Sequence, residues 1–316
     1  MTNFGTETTV ECPVKGCRHS VPRQRKTFRR SSDFRCPDHS IFISPSTFEY
    51  EDKIDNILWK SELDKDLLFN KIFKVKRETQ RIARDNSEDA VTWNVFRFLE
   101  KQNLLEGFLS DLTGFPVDDC EIIYWSYCQS EKQCWSWLQQ VRNDFEINAS
   151  KGSEPDLIIK CNNSMFFIEA KLNANNNTVP SSSDPSVRRK YENGCQRWFD
   201  KVFKSDFNNI ALVNRKYELL RFWLLGSKIA DRLHYNFFLI NLVPQEKEKC
   251  IESAFGSLIK ESEKRQFMRI TWEEIYSHLL KASIESKDKE TLLKYFIEKT
   301  VGYNRVNRLQ KAFTLE

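Results

Sequence analysis

Residues Glu154 to Leu172 read EPDLIIKCNNSMFFIEAKL, and this stretch decides the fold. Leu157-Ile158-Ile159 and Met165-Phe166-Phe167-Ile168 are short runs rich in β-branched and aromatic residues, which predicts two strands. Asn162-Asn163 between them tolerates positive φ and suits a two-residue hairpin turn. Pairing counted outward from that turn sets Cys161 opposite Ser164, Ile159 opposite Phe166, and Asp156 opposite Glu169. Residues directly opposite in a ladder share a face, with Cβ atoms ~5 Å apart. Two carboxylates therefore stand side by side, and Lys171, two residues past Glu169, points the same way. Like charges so placed destabilise a strand pair unless a cation lies between them.

Charges at strand ends are commonly a solvated rim, and Glu154 opposite Lys171 in this register would be an ordinary ion pair. That reading leaves the Asp156–Glu169 apposition unexplained, and strands apolar on both faces predict a buried, central hairpin. Pro155-Asp156 followed by Glu169-Ala170-Lys171 after a short hairpin resembles the PD-(D/E)xK nuclease superfamily. The resemblance covers about Glu88 to Val243 and implies a restriction-endonuclease-like mixed α/β sheet flanked by helices. It also implies Mg²⁺-dependent hydrolysis of DNA phosphodiesters, with double-stranded DNA the expected partner. Asp156, Glu169 and the Ala170 carbonyl would bind the ion, and Lys171 would orient the attacking water or stabilise the transition state. Restriction or phage defence is the implied setting, with a homodimer or a defence partner protein among the implied assemblies.

In the helix predicted after Asn86-Ser87, Glu88, Val91, Val95, Phe98 and Leu99 fall on one stripe, and Asp89 does not. Ser87 or Asn86 is a good N-cap, and first-turn acids suit the helix dipole. A carboxylate on an apolar stripe needs a partner. The resemblance gives Glu88 one, as a further ligand of the catalytic metal.

Near the N-terminus, Cys12-Pro13-Val14-Lys15-Gly16-Cys17 and Cys36-Pro37-Asp38-His39 resemble the paired knuckles of a zinc ribbon. Cys12, Cys17, Cys36 and His39 supply the four ligands that tetrahedral Zn²⁺ takes, with His19 a competing candidate. Between the knuckles, Arg23, Arg25, Lys26, Arg29 and Arg30 form the densest basic run of the chain. It is either a solvated loop or a phosphate-binding finger.

With 316 residues, 40% hydrophobic content, 24 Phe and 8 Trp, the chain can build one substantial aromatic core plus a small module. No apolar run approaches the ~18 residues of a membrane helix, and the start lacks signal-peptide character, which predicts a cytoplasmic protein. Nine cysteines without dense spacing predict reduced thiols rather than a disulfide framework. A net charge of +4 does not by itself argue for nucleic acid.

These patterns divide the chain into a zinc-ribbon-like module (1–45), a helical connector (46–86) and a nuclease domain (87–316). The connector's Lys71, Lys74, Lys76, Arg77, Arg81 and Arg84 are expected on a solvated face without chemistry. One strand is predicted over Glu121–Cys128, and helices over 135–145, 191–203, 217–233, 272–281 and 291–312. The polar stretch from Asn173 to Pro185 predicts a mobile loop beside the site, ending in the basic triplet Arg188-Arg189-Lys190. Gln196 and Arg197, early in the following helix, could approach the site. Two other functions stay open at this level: a non-catalytic DNA-binding protein on a nuclease scaffold, and an RNA-processing nuclease.

Overall fold

The predicted hairpin lies at the centre of a seven-stranded mixed sheet in the computed structural model, whose described residues are 8–76, 81–145, 152–181 and 185–315. Arg77 and residues 182–184 of the polar loop lie outside that description. In chain order, β1 (Thr9–Glu11) and β2 (Ser20–Pro22) pair antiparallel, as do β3 (Ile41–Ile43) and β4 (Phe48–Tyr50). The β3–β4 hairpin crosses the boundary expected at 45/46, so the connector begins with a strand. Short helices α1 (Glu62–Lys65) and α2 (Phe73–Val75) flank a π-helical segment over Asp66–Ile72.

Next come α3 (Glu88–Lys101), capped by Ser87, whose side chain accepts the Ala90 N–H, and α4 (Leu105–Thr113). The single strand expected over Glu121–Cys128 is instead a tight hairpin. β5 (Glu121–Tyr124) turns through Trp125 and Ser126, both at positive φ, into β6 (Tyr127–Cys128), which pairs with β7 (Gln133–Cys134). Apolar and aromatic residues flank this turn without a Gly or Asn to mark it, so local pattern favours an unbroken strand. Helix α5 (Ser136–Phe145) leads on to β8 (Leu157–Lys160) and β9 (Ser164–Ala170).

β8 and β9 pair in the expected register, Ile159 with Phe166 and Leu157 with Ile168. Then follow α6 (Pro185–Val202), α7 (Tyr217–Leu233), β10 (Asn236–Val243), α8 (Ile251–Gly256), β11 (Arg265–Thr271), α9 (Trp272–Lys281) and α10 (Lys287–Glu298). Helix α6 is interrupted at Gly194–Arg197. The last predicted helix stops at Glu298, and the chain closes with the antiparallel pair β12 (Thr300–Tyr303) and β13 (Leu309–Lys311). Thr300, Val301 and Tyr303 favour a strand over a helix, and Gly302 takes a positive φ beside the Ser46 carbonyl, where a Cβ would lie 2.5 Å from that oxygen.

The sheet runs β11-β10-β9-β8-β5-β6-β7; β9, β10 and β11 are parallel, and the rest are antiparallel. Alternation along the strands divides the core. Leu157, Ile159, Phe166, Ile168, Phe238 and Ile240 face α3, α4 and α9, whereas Ile158, Met165, Phe167, Phe237 and Leu239 face α5 and α7. β9 is buried along its whole length, as a central strand covered on both faces must be. Two cysteines expected to be free thiols, Cys120 and Cys161, are bonded across the adjoining ends of β5 and β8, with Cα atoms 4.1 Å apart. They lie 41 residues apart in sequence but one step beyond the Glu121–Lys160 pair, a proximity that only the strand pairing creates. Among the described residues no helix is long and apolar enough to cross a membrane.

Candidate active site

Asp156 immediately precedes β8 and Glu169 closes β9, one step beyond the Leu157–Ile168 pair, so both carboxylates reach the same end of the sheet. By strand parity Asp156, Glu169 and Lys171 share the α7 face. Glu88, at the start of α3, belongs to the opposite face. All four line one cavity of about 760 Å³ together with Lys76, Arg81, Arg84, Asp89, Glu154 and Glu218.

Each acid is held by a different part of the fold. Asp156 accepts hydrogen bonds from the Ala170 backbone N–H (2.9 Å) and from Trp125 Nε1 (3.1 Å), which fixes both its oxygens. Glu169 accepts from Lys171 Nζ, and the same ammonium reaches Glu218 Oε2 at 3.2 Å. Lys171 thus pairs with Glu169 and Glu218. Glu154, which the register placed opposite it, instead accepts from the Ser126 hydroxyl (3.1 Å). Glu88 Oε1 accepts the backbone N–H groups of Leu172 (2.8 Å) and Asn173 (3.3 Å). The partner that its place on the stripe demands is therefore the backbone just past β9.

Burial and crowding set the electrostatics. Burial pushes the Asp156 carboxyl up to about 7; Lys171 and Lys76 oppose the shift, and Asp89 adds to it. Burial also raises Glu169 well above the ordinary carboxylate range, reinforced by the negative charge of Glu218 and of Asp156 against the opposing Lys171. Burial by itself would lower Lys171, but Glu169, Glu218 and Asp156 outweigh it and hold the ammonium charged. Six carboxyl groups and four cationic side chains line the cavity, and burial holds two of those carboxyls, Asp156 and Glu169, back from ionising. Carboxylate oxygens are the hard donor type that a divalent cation such as Mg²⁺ takes.

The N-terminal cysteines form a second centre. The ligand atoms of Cys12, Cys17, Cys36 and His39 all lie within 4.8 Å of one another, the one such group of metal-binding side chains among the described residues. Cys36 Sγ is 3.6 Å from His39 Nδ1 and 3.8 Å from Cys17 Sγ, and Cys12 Sγ is 3.7 Å from the same His39 nitrogen. Three sulfurs and one imidazole at this separation could hold a metal ion such as zinc. Burial works against ionisation of Cys36, yet hydrogen bonds from His39 and the backbone bring its thiol down to about 7. His19 turns outward to Asp38, 3.0 Å away, and takes no part.

Comparison with protein-family models, curated proteins and solved structures finds no match to this chain.

The remaining sequence candidates are dispersed. In the basic loop, Arg23 donates to the Pro45 carbonyl and Asn307, and Arg30 to the carbonyls of Glu51 and Tyr50. Arg25, Lys26 and Arg29 are exposed. Arg188 pairs with Glu192 at 2.9 Å on α6, Arg189 is exposed and Lys190 is half-buried; none of the three lines the cavity. Gln196 and Arg197 lie in the α6 interruption, with Arg197 paired to Asp200, and also stand away from it.

The loop expected to be mobile is anchored along Asn173–Thr178. Buried Asn176 bonds Asn241 and Glu248, Lys247 donates to the Asn173 carbonyl, and Thr178 receives the Tyr217 and Glu218 backbone N–H groups. Lys76, Arg81 and Arg84 line the cavity rather than a featureless solvated face. Lys76 in particular is buried against Asp89 (2.7 Å) and stacks over Trp125. Asp89, read as pointing away from the buried side, faces the cavity through this pair. Glu218 carried no sequence signal beyond an acid in the first turn of a helix.

Proposed function

We propose that the chain is a metal-dependent nuclease that hydrolyses DNA phosphodiester bonds on a restriction-endonuclease-like fold. The observation that carries this reading is the convergence of Asp156, Glu169 and Lys171 on one face at the end of two central strands, in a cavity lined by six carboxyl groups. Asp156 and Glu169, with the Ala170 carbonyl, would hold Mg²⁺, and Glu88 borders the same cavity. Bound there, the ion would lower the pKa of a coordinated water and neutralise charge on the scissile phosphate.

The chain's own groups do the rest. Trp125 Nε1 and the Ala170 N–H fix the Asp156 carboxylate before any ligand arrives. Glu218 shares Lys171 with Glu169, so the ammonium stays charged and keeps an alternative anchor when Glu169 turns to another cation. From there its compact charge can orient a water or stabilise negative charge developing on phosphate oxygens. The N-terminal Cys₃His group would hold structural Zn²⁺. A role in restriction or phage defence rests on the sequence resemblance alone.

The test is incubation of purified protein with plasmid, linear duplex, single-stranded DNA and RNA, with and without Mg²⁺. Mg²⁺-dependent DNA cleavage that disappears in Asp156→Asn and Lys171→Ala is the expected result. Binding without cleavage would return the chain to the non-catalytic DNA-binding reading, and cleavage of RNA alone to the RNA-processing one.

A further inference from the structure

Lys76, Arg81 and Arg84 stand on the wall of the cavity that holds Asp156, Glu169 and Lys171. Arg81 is exposed and makes no ion pair among the described residues. Arg84 is held by Glu49 through Nε alone (2.7 Å), which keeps its outer guanidinium nitrogens as donors. The Lys76 ammonium beside them is buried between Asp89 and the Trp125 ring, 4.3 Å from the ring centroid, and is spent on that pair.

What positions this edge is the N-terminal module. Tyr50 N donates to the Ala83 carbonyl (2.9 Å) and Asp85 N to that of Phe48 (3.0 Å), so Arg84 is bridged antiparallel to Glu49 of β4. The β3–β4 hairpin in turn shares one small core, Ile41, Ile43 and Phe48, with Cys12 and Cys36 of the metal-binding group. The acidic floor attracts a cation but repels a polyanion. A rim of cations on a rigid mount is what brings a phosphate chain to it.

We propose that the edge 81–84 is a subsite for backbone phosphates of a nucleic-acid strand entering the cavity, and that the N-terminal metal module is its mount. This rests on the nuclease reading for the nature of the ligand. Arginine forks suit phosphate oxygens, and such contacts release counterions, so the subsite is read in the salt dependence of binding.

The experiment measures binding of a fluorescent duplex of about 20 base pairs across a salt series, in an Asp156→Asn background that retains the substrate. Arg81→Ala is expected to weaken binding and reduce the log–log salt slope by about 0.9 for a lost contact; Arg81→Lys should retain the slope. Arg84→Ala should act likewise, with its melting curve checked because it also releases Glu49. Cys36→Ser, which leaves the rim residues intact, should reproduce the loss seen with Arg81 and Arg84 changed together. Unchanged slopes in both arginine variants would overturn the subsite, and a normal slope in Cys36→Ser would overturn the mount. Either result beside a wild type that cleaves DNA leaves the nuclease reading standing. Altered slopes beside a wild type that cleaves nothing would sink that reading and keep the subsite.

Discussion

At the scale of the residue, the cavity is governed by carboxylates kept from water. Asp156 binds its proton with a pKa of about 7 in the fold against 3.8 outside it. The folded state therefore holds one more proton between those values, and the contribution of Asp156 to the stability of the metal-free protein is most favourable below the lower one. That contribution falls as pH rises from the lower value through the upper one, at up to about 1.4 kcal/mol per pH unit. Thermal melts in EDTA across this range should show that slope, and Asp156→Asn should reduce it. An identical slope in the variant would place the proton elsewhere. Lys171 makes the complementary case. Lys171→Met leaves Glu169 and Glu218 without their shared cation, and removal of one member of a buried ion pair costs about 3–5 kcal/mol. Part of that loss should return on adding Mg²⁺, with a larger melting shift in the variant than in wild type. Equal shifts in the two proteins would show that Lys171 and a divalent ion do not share the same carboxylates.

At the scale of the element, β8 begins and β9 ends at the edge of the sheet where α3 and α7 start, which gathers their acids around one cavity. Glu88 and Glu218 come from the first turns of those helices, one from each face of the sheet, and first-turn acids are favoured there by the exposed N–H groups. The strand pair β5–β8 is tied by Cys120–Cys161 across 41 residues of chain. In the chain-entropy account a loop of that length contributes about 4 kcal/mol. Reductant should therefore lower the midpoint of denaturant unfolding in the wild type and leave a Cys120→Ala/Cys161→Ala variant unchanged. A wild-type midpoint insensitive to reductant would mean that the two thiols stay unbonded in solution.

At the scale of the whole molecule, the N- and C-terminal segments close on each other. Lys299, buried at the end of α10, reaches Asn56 (3.0 Å) and Asp85 (3.3 Å), and Asp85 also accepts from Thr300. Arg23 meets Asn307 and stacks over Tyr303, while Tyr303 N donates to the Ser46 carbonyl. Asp85 therefore links the connector, the cavity rim and the last strands. Asp85→Ala strands a buried ammonium and should destabilise the protein by about 3–5 kcal/mol. Asp85→Ala combined with Lys299→Met should recover much of this, since an apolar replacement of both partners is nearly neutral. A double variant no better than the single one would show that Asp85 acts through Thr300 and not through Lys299.

What the sequence determined by itself is local. The Asn162-Asn163 turn with apolar runs on either side dictates the hairpin and its register, because turn chemistry and period-two burial act within a few residues. Ser87 as a cap, α7 over 217–233, α9 over 272–281 and the Cys12, Cys17, Cys36 and His39 group that could hold a metal ion belong to the same class. Tertiary structure alone decided which distant groups meet those elements. Glu218 lies 47 residues from the lysine it holds, and Trp125 lies 31 from the aspartate it fixes. Lys76, Arg81 and Arg84 read as solvated charges until the Glu49–Arg84 bridge to β4 and the Trp125 turn carry them to the cavity. A side chain's partner across space leaves no periodic trace in either segment. The burial and crowding of acidic groups that hold protons on Asp156 and Glu169 arise only when the segments close around the cavity.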